Sequence, residues 1–334
     1  MVELVYAIMG IGLVAYTLSG GADFGAGFWH LVARGPRRAA QRALVEHAIG
    51  PLWEANHVWL IFVIVMLFSA FPRAFAALGV AFHVPLVLAL FGIVFRGTSF
   101  VFRSYGLGPL ADRTRASWGQ LFAWASVFTP VFLGITLAGM SAGRVPQAAL
   151  GSRAQPMPLS DVFTAFAVLT GLFALALFAL LAAVYLACEC DDDALRRDFR
   201  RYALGAELVA GALALAVFVV AASEAPLLRA RLGQSAVFWP LQLGTAAFAL
   251  GATLTLILDR VTWARVFVAL QVGLVVLGWG AAMRGDLVLG AVSIRDAGTR
   301  PETLAAVLPI LGGGTLLLAP SLVFLYRLFA RRAR

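Results

Sequence analysis

The sequence contains no lysine. All 26 of its basic residues are arginine, acidic residues number 17, and charged residues make up only 13% of the 334. A soluble domain carries roughly 25% charged residues, so a water-exposed globular surface is excluded for most of this chain. Cysteine is nearly absent as well. Cys188 and Cys190, in the run Cys-Glu-Cys-Asp-Asp-Asp, are the only two, which excludes a disulfide framework and leaves no second pair of thiols to complete a structural zinc site. Beside arginines, the pair reads as a solvated acidic helix end. The net charge of +9, in a chain so poor in polar residues, fits loops lying against anionic lipid and not nucleic acid.

What fills the chain instead is apolar. Hydrophobic residues reach 61% and the mean hydropathy is +0.90. Apolar runs of about 20 residues, the length needed to cross a bilayer, recur about nine times along the sequence. They cover about Leu4–Leu31, Ile49–Phe71, Ala74–Phe95, Leu121–Met140, Val162–Leu186, Tyr202–Ala222, Phe238–Leu258, Ala264–Met283 and Leu304–Phe329. Pro72 punctuates the turn between the second and third runs. No connector is long enough to fold separately, so a single transmembrane domain over residues 1–334 is expected. Met1–Gly20 has no basic leader and runs on into a longer apolar stretch, which predicts a first span and not a cleaved signal peptide. The expected fold class is an all-α polytopic membrane bundle.

Arginine distribution orients the chain. With the N-terminus outside, inner segments hold Arg34, Arg37, Arg38, Arg42, Arg96, Arg103, Arg113, Arg115, Arg196, Arg197, Arg200, Arg201, Arg260, Arg265, Arg327, Arg331, Arg332 and Arg334, about 18 in all. The outer segments hold about 8: Arg73, Arg144, Arg153, Arg229, Arg231, Arg284, Arg295 and Arg300. The opposite orientation would put the densest clusters on the wrong face, so the N-terminus is expected outside and the C-terminus in the cytoplasm. Comparison of the two halves reveals no usable internal repeat.

Ionisable groups inside apolar spans are costly and therefore candidates for function. The first is Asp23, in Ser19-Gly20-Gly21-Ala22-Asp23-Phe24-Gly25-Ala26-Gly27. Its flanking glycines allow close helix approach, so a packing site with a hydrogen-bonded acid and a carboxylate on a proton or ion route are both open. The second candidate opens the next span: Ile49-Gly50-Pro51-Leu52-Trp53-Glu54-Ala55-Asn56-His57-Val58-Trp59-Leu60. Glu54 and His57, three residues apart, share a helix face and could share a proton. Asn56 can bond a neighbouring helix, and Trp53 and Trp59 suit a headgroup interface. His83, in the third run, is the only histidine placed like a haem ligand, but nothing accompanies it, and a structural histidine is the expectation. Gly312-Gly313-Gly314 lacks the lysine of a phosphate loop and is expected to serve close helix packing.

These segments resemble subunit II of cytochrome bd-type terminal oxidases. Gly20-Gly21-Ala22-Asp23-Phe24-Gly25 is similar to that family's Asp-Gly-Phe-Asp-Leu-Gly-like string. Ile49 to Leu60 resembles its Ile-Gly-Pro-x-Trp-Asp-Gly-Asn-Glu-Val-Trp-Leu string. Ala70-Phe71-Pro72-Arg73-Ala74-Phe75-Ala76 is similar to its Ala-Phe-Pro-x-x-Tyr-Ala turn, and Phe95-Arg96-Gly97-Thr98-Ser99-Phe100-Val101-Phe102-Arg103 to its Arg-Gly-x-x-Phe-Glu-Phe-Arg loop. The four motifs fall in order within about the first third of the chain.

The resemblance implies two four-helix groups plus a peripheral helix. It implies a multi-pass subunit of the bacterial inner membrane that pairs with a haem-bearing subunit I, which oxidises quinol and reduces oxygen to water. This chain would bind no haem or metal itself; haems b and d belong to the partner. A bound quinone or lipid, and a small single-span subunit, are further partners of such complexes. Glu54 matches the acid of the proton entry route and Asp23 the second acid of the first motif, with His57 a third protonatable group. Trp53, Asn56, Trp59, Arg96 and Arg103 match motif or interface positions. Three family acids are replaced here, by Gly20, His57 and Val101, which points to a divergent proton route or electron donor. The residues alone leave two other readings open: a secondary transporter or channel without a redox partner, and a purely structural assembly subunit.

Overall fold

The computed structural model describes residues 1–49, 53–105, 111–145, 155–234, 238–283 and 285–332. The first apolar run forms α1 (Val2–Val32), which at 1.5 Å per residue is ample for a hydrocarbon core of about 30 Å. An arginine-rich turn leads to α2 (Arg38–Ile49), a short polar helix, and then to α3 (Trp53–Ala70). At Phe71 the chain turns by 114° into α4 (Pro72–Ala81). Pro72 occupies the first turn of α4, where its missing N–H costs nothing, while its ring prevents α3 from continuing. A second break at Phe82 separates α4 from α5 (His83–Tyr105). The third span therefore begins at His83 and not at Ala74, because two breaks isolate α4 as an oblique segment.

The remaining long helices are α6 (Ala111–Ser141), α8 (Ala165–Cys188), α9 (Asp193–Glu224), α11 (Phe238–Ile257), α12 (Val261–Met283) and α14 (Pro301–Arg332), with short helices α7 (Leu159–Val162), α10 (Pro226–Gln234) and α13 (Ile294–Ala297) between them. Among the described residues, eight helices are long and apolar enough to cross a membrane, and the bent pair α3–α4 makes nine. α9 begins nine residues before the expected Tyr202, because the Asp192 carboxylate caps it by accepting the Ala194 and Leu195 N–H groups. α8 starts at Thr164, whose hydroxyl accepts the Ala167 N–H. One feature lacks any apolar-run signature: a two-stranded antiparallel hairpin, β1 (Asp286–Val288) with β2 (Val292–Ser293), tied to α10 by Arg231–Asp286 at 2.8 Å.

Helices α1, α3, α5 and α6 pack together, as do α8, α9, α11 and α12, and α14 lies outside against α3 and α1. The two groups meet where α8 packs on α1 and α6. Between spans no hydrophobic effect drives association, so close backbone approach and van der Waals contact must do it. Glycine makes that approach possible here. A Cβ on Gly25 would lie 1.8 Å from the Phe178 carbonyl oxygen, and one on Gly134 would lie 2.7 Å from the Gly171 Cα. By contrast, a Cβ on Gly312, Gly313 or Gly314 meets nothing within 4 Å. The triple glycine of α14 therefore serves no helix contact within the described chain, contrary to the expectation for it.

The Cys188–Asp193 segment is also less solvated than expected. Cys190 is buried and the Cys188 thiol donates to the Val261 carbonyl at 3.3 Å. Glu189 and the three aspartates face outward, Asp192 as the cap of α9.

Candidate functional site: a buried polar cluster between three spans

The glycines around Asp23 turn one face of α1 onto α8, which leaves the Asp23 side chain to point toward α3. Asp23 is 7% exposed, and the Asn56 amide donates to its Oδ2 at 2.7 Å. Asn56, in the first full turn of α3, is itself 5% exposed. This is one bond between two spans, in a place where an unpaired carboxylate would cost several kcal/mol.

The countercharge comes from α5. Arg96 belongs not to an inner loop, as its place among the arginines suggested, but to the interior of that helix. At 1% exposure it is the largest fully buried side chain among the described residues. Nothing between His83 and Tyr105 stops the helix, so Arg96 is carried into the protein three turns from its start. Its guanidinium lies over Phe24 at 4.7 Å and Phe122 at 5.1 Å from the ring centroids, and its Nε donates to the Ser126 hydroxyl at 3.2 Å. Asp23 and Arg96 attract one another electrostatically. The two aromatic faces add to that stabilisation, since a desolvated cation over a ring gains about 2 kcal/mol. Ring faces also explain how a guanidinium tolerates so dry a site.

Other polar groups converge here. The His57 ring packs edge-on to Tyr16 at 6.3 Å and beside Phe24 at 5.8 Å. The Tyr16 hydroxyl, Arg96 Nη2 and the Ser99 hydroxyl are buried atoms with no protein partner. Buried polar atoms are normally satisfied, by protein or by water, so three unsatisfied ones on the helices that carry Asp23 and Arg96 are a distinctive feature of this region. Sequence reasoning named Asp23, Asn56, His57 and Arg96 separately. The structure brings them together and adds Tyr16, Ser99 and Ser126, which the sequence did not single out. Spacing could have signalled two of them, because Ser99 lies one turn beyond Arg96 and Tyr16 two turns before Asp23 on the same helix faces.

Trp59 is half-buried against the central core and edge-on to Phe62 at 6.4 Å, so it packs inside the bundle. The side chains of Trp53, Glu54 and Arg103 lie outside the described residues; the backbone sets Trp53 and Glu54 in the first turn of α3. His83 is not inside a packed span. It starts α5, is exposed, and its Nδ1 lies 3.1 Å from the Val80 carbonyl.

Below this cluster, at the α2 end of the bundle, lies an ion-pair layer. Arg37 grips Asp198 through two bonds of 2.7 and 2.5 Å, and Gln41 donates to the same carboxylate at 2.9 Å. Asp198 holds the exposed Arg37 guanidinium above its ordinary range. Arg200 pairs with Asp259 at 2.8 Å, and His30 approaches Glu46 at 3.4 Å. Trp29 stacks on Tyr202 at 4.9 Å and donates to the Ala179 carbonyl at 2.7 Å. These bonds tie α1, α2, α8 and α9 together at that end.

Residues 1–329 match the profile of cytochrome bd terminal oxidase subunit II. The chain belongs to that family. Within the family, a stretch of 175 residues is 27% identical to cytochrome bd ubiquinol oxidase subunit 2 of Bacillus subtilis, covering 51% of this chain and 48% of the relative. A stretch of 142 residues is 28% identical to cytochrome bd-I ubiquinol oxidase subunit 2 of Escherichia coli, covering 41% of this chain and 35% of the relative. The chain thus aligns with half or less of these relatives' lengths. The fold is similar to a chain in the structure of bd oxidase from Geobacillus thermodenitrificans, with a TM-score of 0.80, 23% identity and 98% of each chain covered. Family membership places the chain among the subunits II of cytochrome bd terminal oxidases, and the eight or nine candidate spans among its described residues make it a multi-span membrane protein. The structural likeness shows that this chain shares its fold with that bd oxidase chain.

Proposed function

We propose that this subunit works beside a haem-bearing subunit I, in a complex that oxidises quinol and reduces oxygen to water, and that its own task is to carry protons through the membrane toward the partner. The observation that carries this reading is the Asp23 cluster. It puts a carboxylate, a carboxamide and a guanidinium together inside the bundle, with three more polar atoms unsatisfied by protein. Such a group can bind water, and a carboxylate with water around it can take and release a proton. Arg96 places a positive charge in the same buried region as Asp23. The aromatic rings of Phe24 and Phe122 keep bulk solvent from the guanidinium and so keep the path narrow.

Glu54, at the start of α3, is the proposed entry, two residues before Asn56 on the same helix. His57, one turn on from Glu54, faces the cluster through Tyr16 and Phe24, where its imidazole adds a protonatable group. We assign the arginine-rich end, with α2 and the Arg37–Asp198 layer, to the cytoplasmic face of the bacterial inner membrane, and the N-terminus to the outer face.

The histidines support leaving the haems to the partner. A haem ligand needs a packed helix with an open approach to its ring nitrogen. His47 and His83 are exposed, His30 is set against Glu46 and Phe122, and the His57 ring lies among aromatic side chains. When bound in the partner, haems supply the electron transfer to oxygen; the residues of this chain bind, orient and conduct.

The test is Glu54→Gln in the complex purified in mild detergent. Oxygen consumption with quinol should fall while b- and d-type haem bands keep their wild-type intensity. Normal proton-coupled turnover would sink the assignment of Glu54. Purification of the wild-type chain alone, with no haem-bearing partner, would favour transport without a redox partner.

A further inference from the structure

A second, half-buried carboxyl stands apart from the Asp23 cluster, in the other helix group. Glu207 of α9 accepts a hydrogen bond of 2.7 Å from the Gln271 amide of α12. The two remaining atoms of the pair, Glu207 Oε2 and Gln271 Oε1, are both buried and both without a partner. An ionised carboxylate and an amide oxygen are acceptors only, so the charged form of Glu207 leaves two buried acceptors unsatisfied at once. One proton on Oε2 changes this. The resulting O–H can donate to Gln271 Oε1 while the Gln271 amide donates to Glu207 Oε1, and the soft terminal torsions of both side chains allow the two edges to meet.

We propose that Glu207 carries a proton within the membrane, as half of a cyclic carboxylic acid–carboxamide pair with Gln271 that pins α9 to α12. Its surroundings favour the neutral form. Leu208 and Val209 beside it are exposed on the outside of the bundle, where lipid makes a charge expensive.

No cation nearby is committed to Glu207. Among the helices packed against α9, α11 brings no titratable residue, and α8 brings only Tyr185 and Cys188. α12 brings Arg265, which approaches Glu189 at 3.7 Å and lies over Tyr185 at 4.8 Å. α10 brings Arg229 and Arg231, occupied by Phe218 and Asp286. On α9 itself, Arg200 is bound to Asp259 and Arg201 lies six residues away, about 9 Å along the axis. Among the described residues, Gln271 is the one side chain that hydrogen-bonds it.

The test is infrared spectroscopy of the purified protein, with whatever subunits accompany it, in lipid nanodiscs at neutral pH. The wild type should show a protonated-carboxyl C=O absorption that is lost in Glu207→Gln, a variant whose carboxamide can form the same two-bond ring and so keeps the packing. In Gln271→Leu the absorption should persist but move to higher frequency, because the amide donor is gone. Superimposable spectra of wild type and Glu207→Gln in that region would overturn the proposal. So would an unchanged band in Gln271→Leu, which also decides the matter should Glu207→Gln fail to assemble.

Discussion

Asp23 and Arg96 show how much one residue can mean inside a buried site. Each alone would be a buried charge, and removing one member of a buried pair typically costs about 3–5 kcal/mol, whereas removing both costs far less. Asp23→Asn and Arg96→Met should therefore each lower the thermal stability of the complex markedly, and the double variant should recover a large part of the loss. A double-mutant cycle on the unfolding midpoint checks this; simple additivity would mean that the two do not act on each other. Asn56→Ala should cost about 1–3 kcal/mol, by leaving the Asp23 oxygen it bonds without its donor. A smaller effect belongs to Cys190, outside the spans, where burial pushes the thiol above its ordinary range. Less thiolate at neutral pH means slow alkylation, so labelling of Cys190 should accelerate at a higher pH than labelling of a small free thiol does. Mass analysis of the labelled peptide reads this directly. The acid, the amide and the imidazole were legible as residues in the sequence, since polar groups in apolar runs stand out. Their meeting was not, because it depends on which way α1 is turned, and that is decided by glycine contacts with α8.

At the scale of the element, helix ends and crossings were governed by single residues. The sequence signalled Pro72, yet only the backbone reveals that the bend is followed by a second break at Phe82, which isolates α4. Arg96 misled for a related reason. Arginines normally mark loops, and nothing in composition distinguishes one carried inside a span by an unbroken helix. Asp192 is the clearest case of a cap overriding hydropathy, since it extends α9 back through four arginines. Replacing Asp192 by Ala should cost about 1 kcal/mol and fray that first turn, measurable as faster hydrogen exchange at Ala194 and Leu195. Crossings are less forgiving. Gly25→Ala would drive a methyl group into the α8 backbone at Phe178, so the complex should lose stability by about 1–3 kcal/mol or fail to assemble. Gly10→Ala, on the same helix with open space around its Cβ position, should be neutral or slightly stabilising. Equal effects of the two alanines on the unfolding midpoint would contradict the packing argument.

For the whole molecule, the helical class was legible, and the expected nine spans agree with the eight or nine among the described residues, because bilayer thickness sets the length of apolar runs. The grouping of helices was not in any single run. It emerges from α8, whose small residues let α1 and α6 approach it on one side while α9 and α12 close the other. The hairpin of β1 and β2 escaped notice because five strand residues carry no period worth reading. What unites the account is a buried polar path on one side of this bundle, proposed to serve oxygen reduction in a neighbouring subunit. The measurement that tests it most directly is quinol-driven oxygen uptake per haem by the purified complex carrying Asp23→Asn. The account predicts slow turnover, by about 10-fold or more if proton transfer limits the rate, with haem spectra and subunit content unchanged. Wild-type turnover per haem in that variant would contradict it and reduce Asp23 to a packing residue.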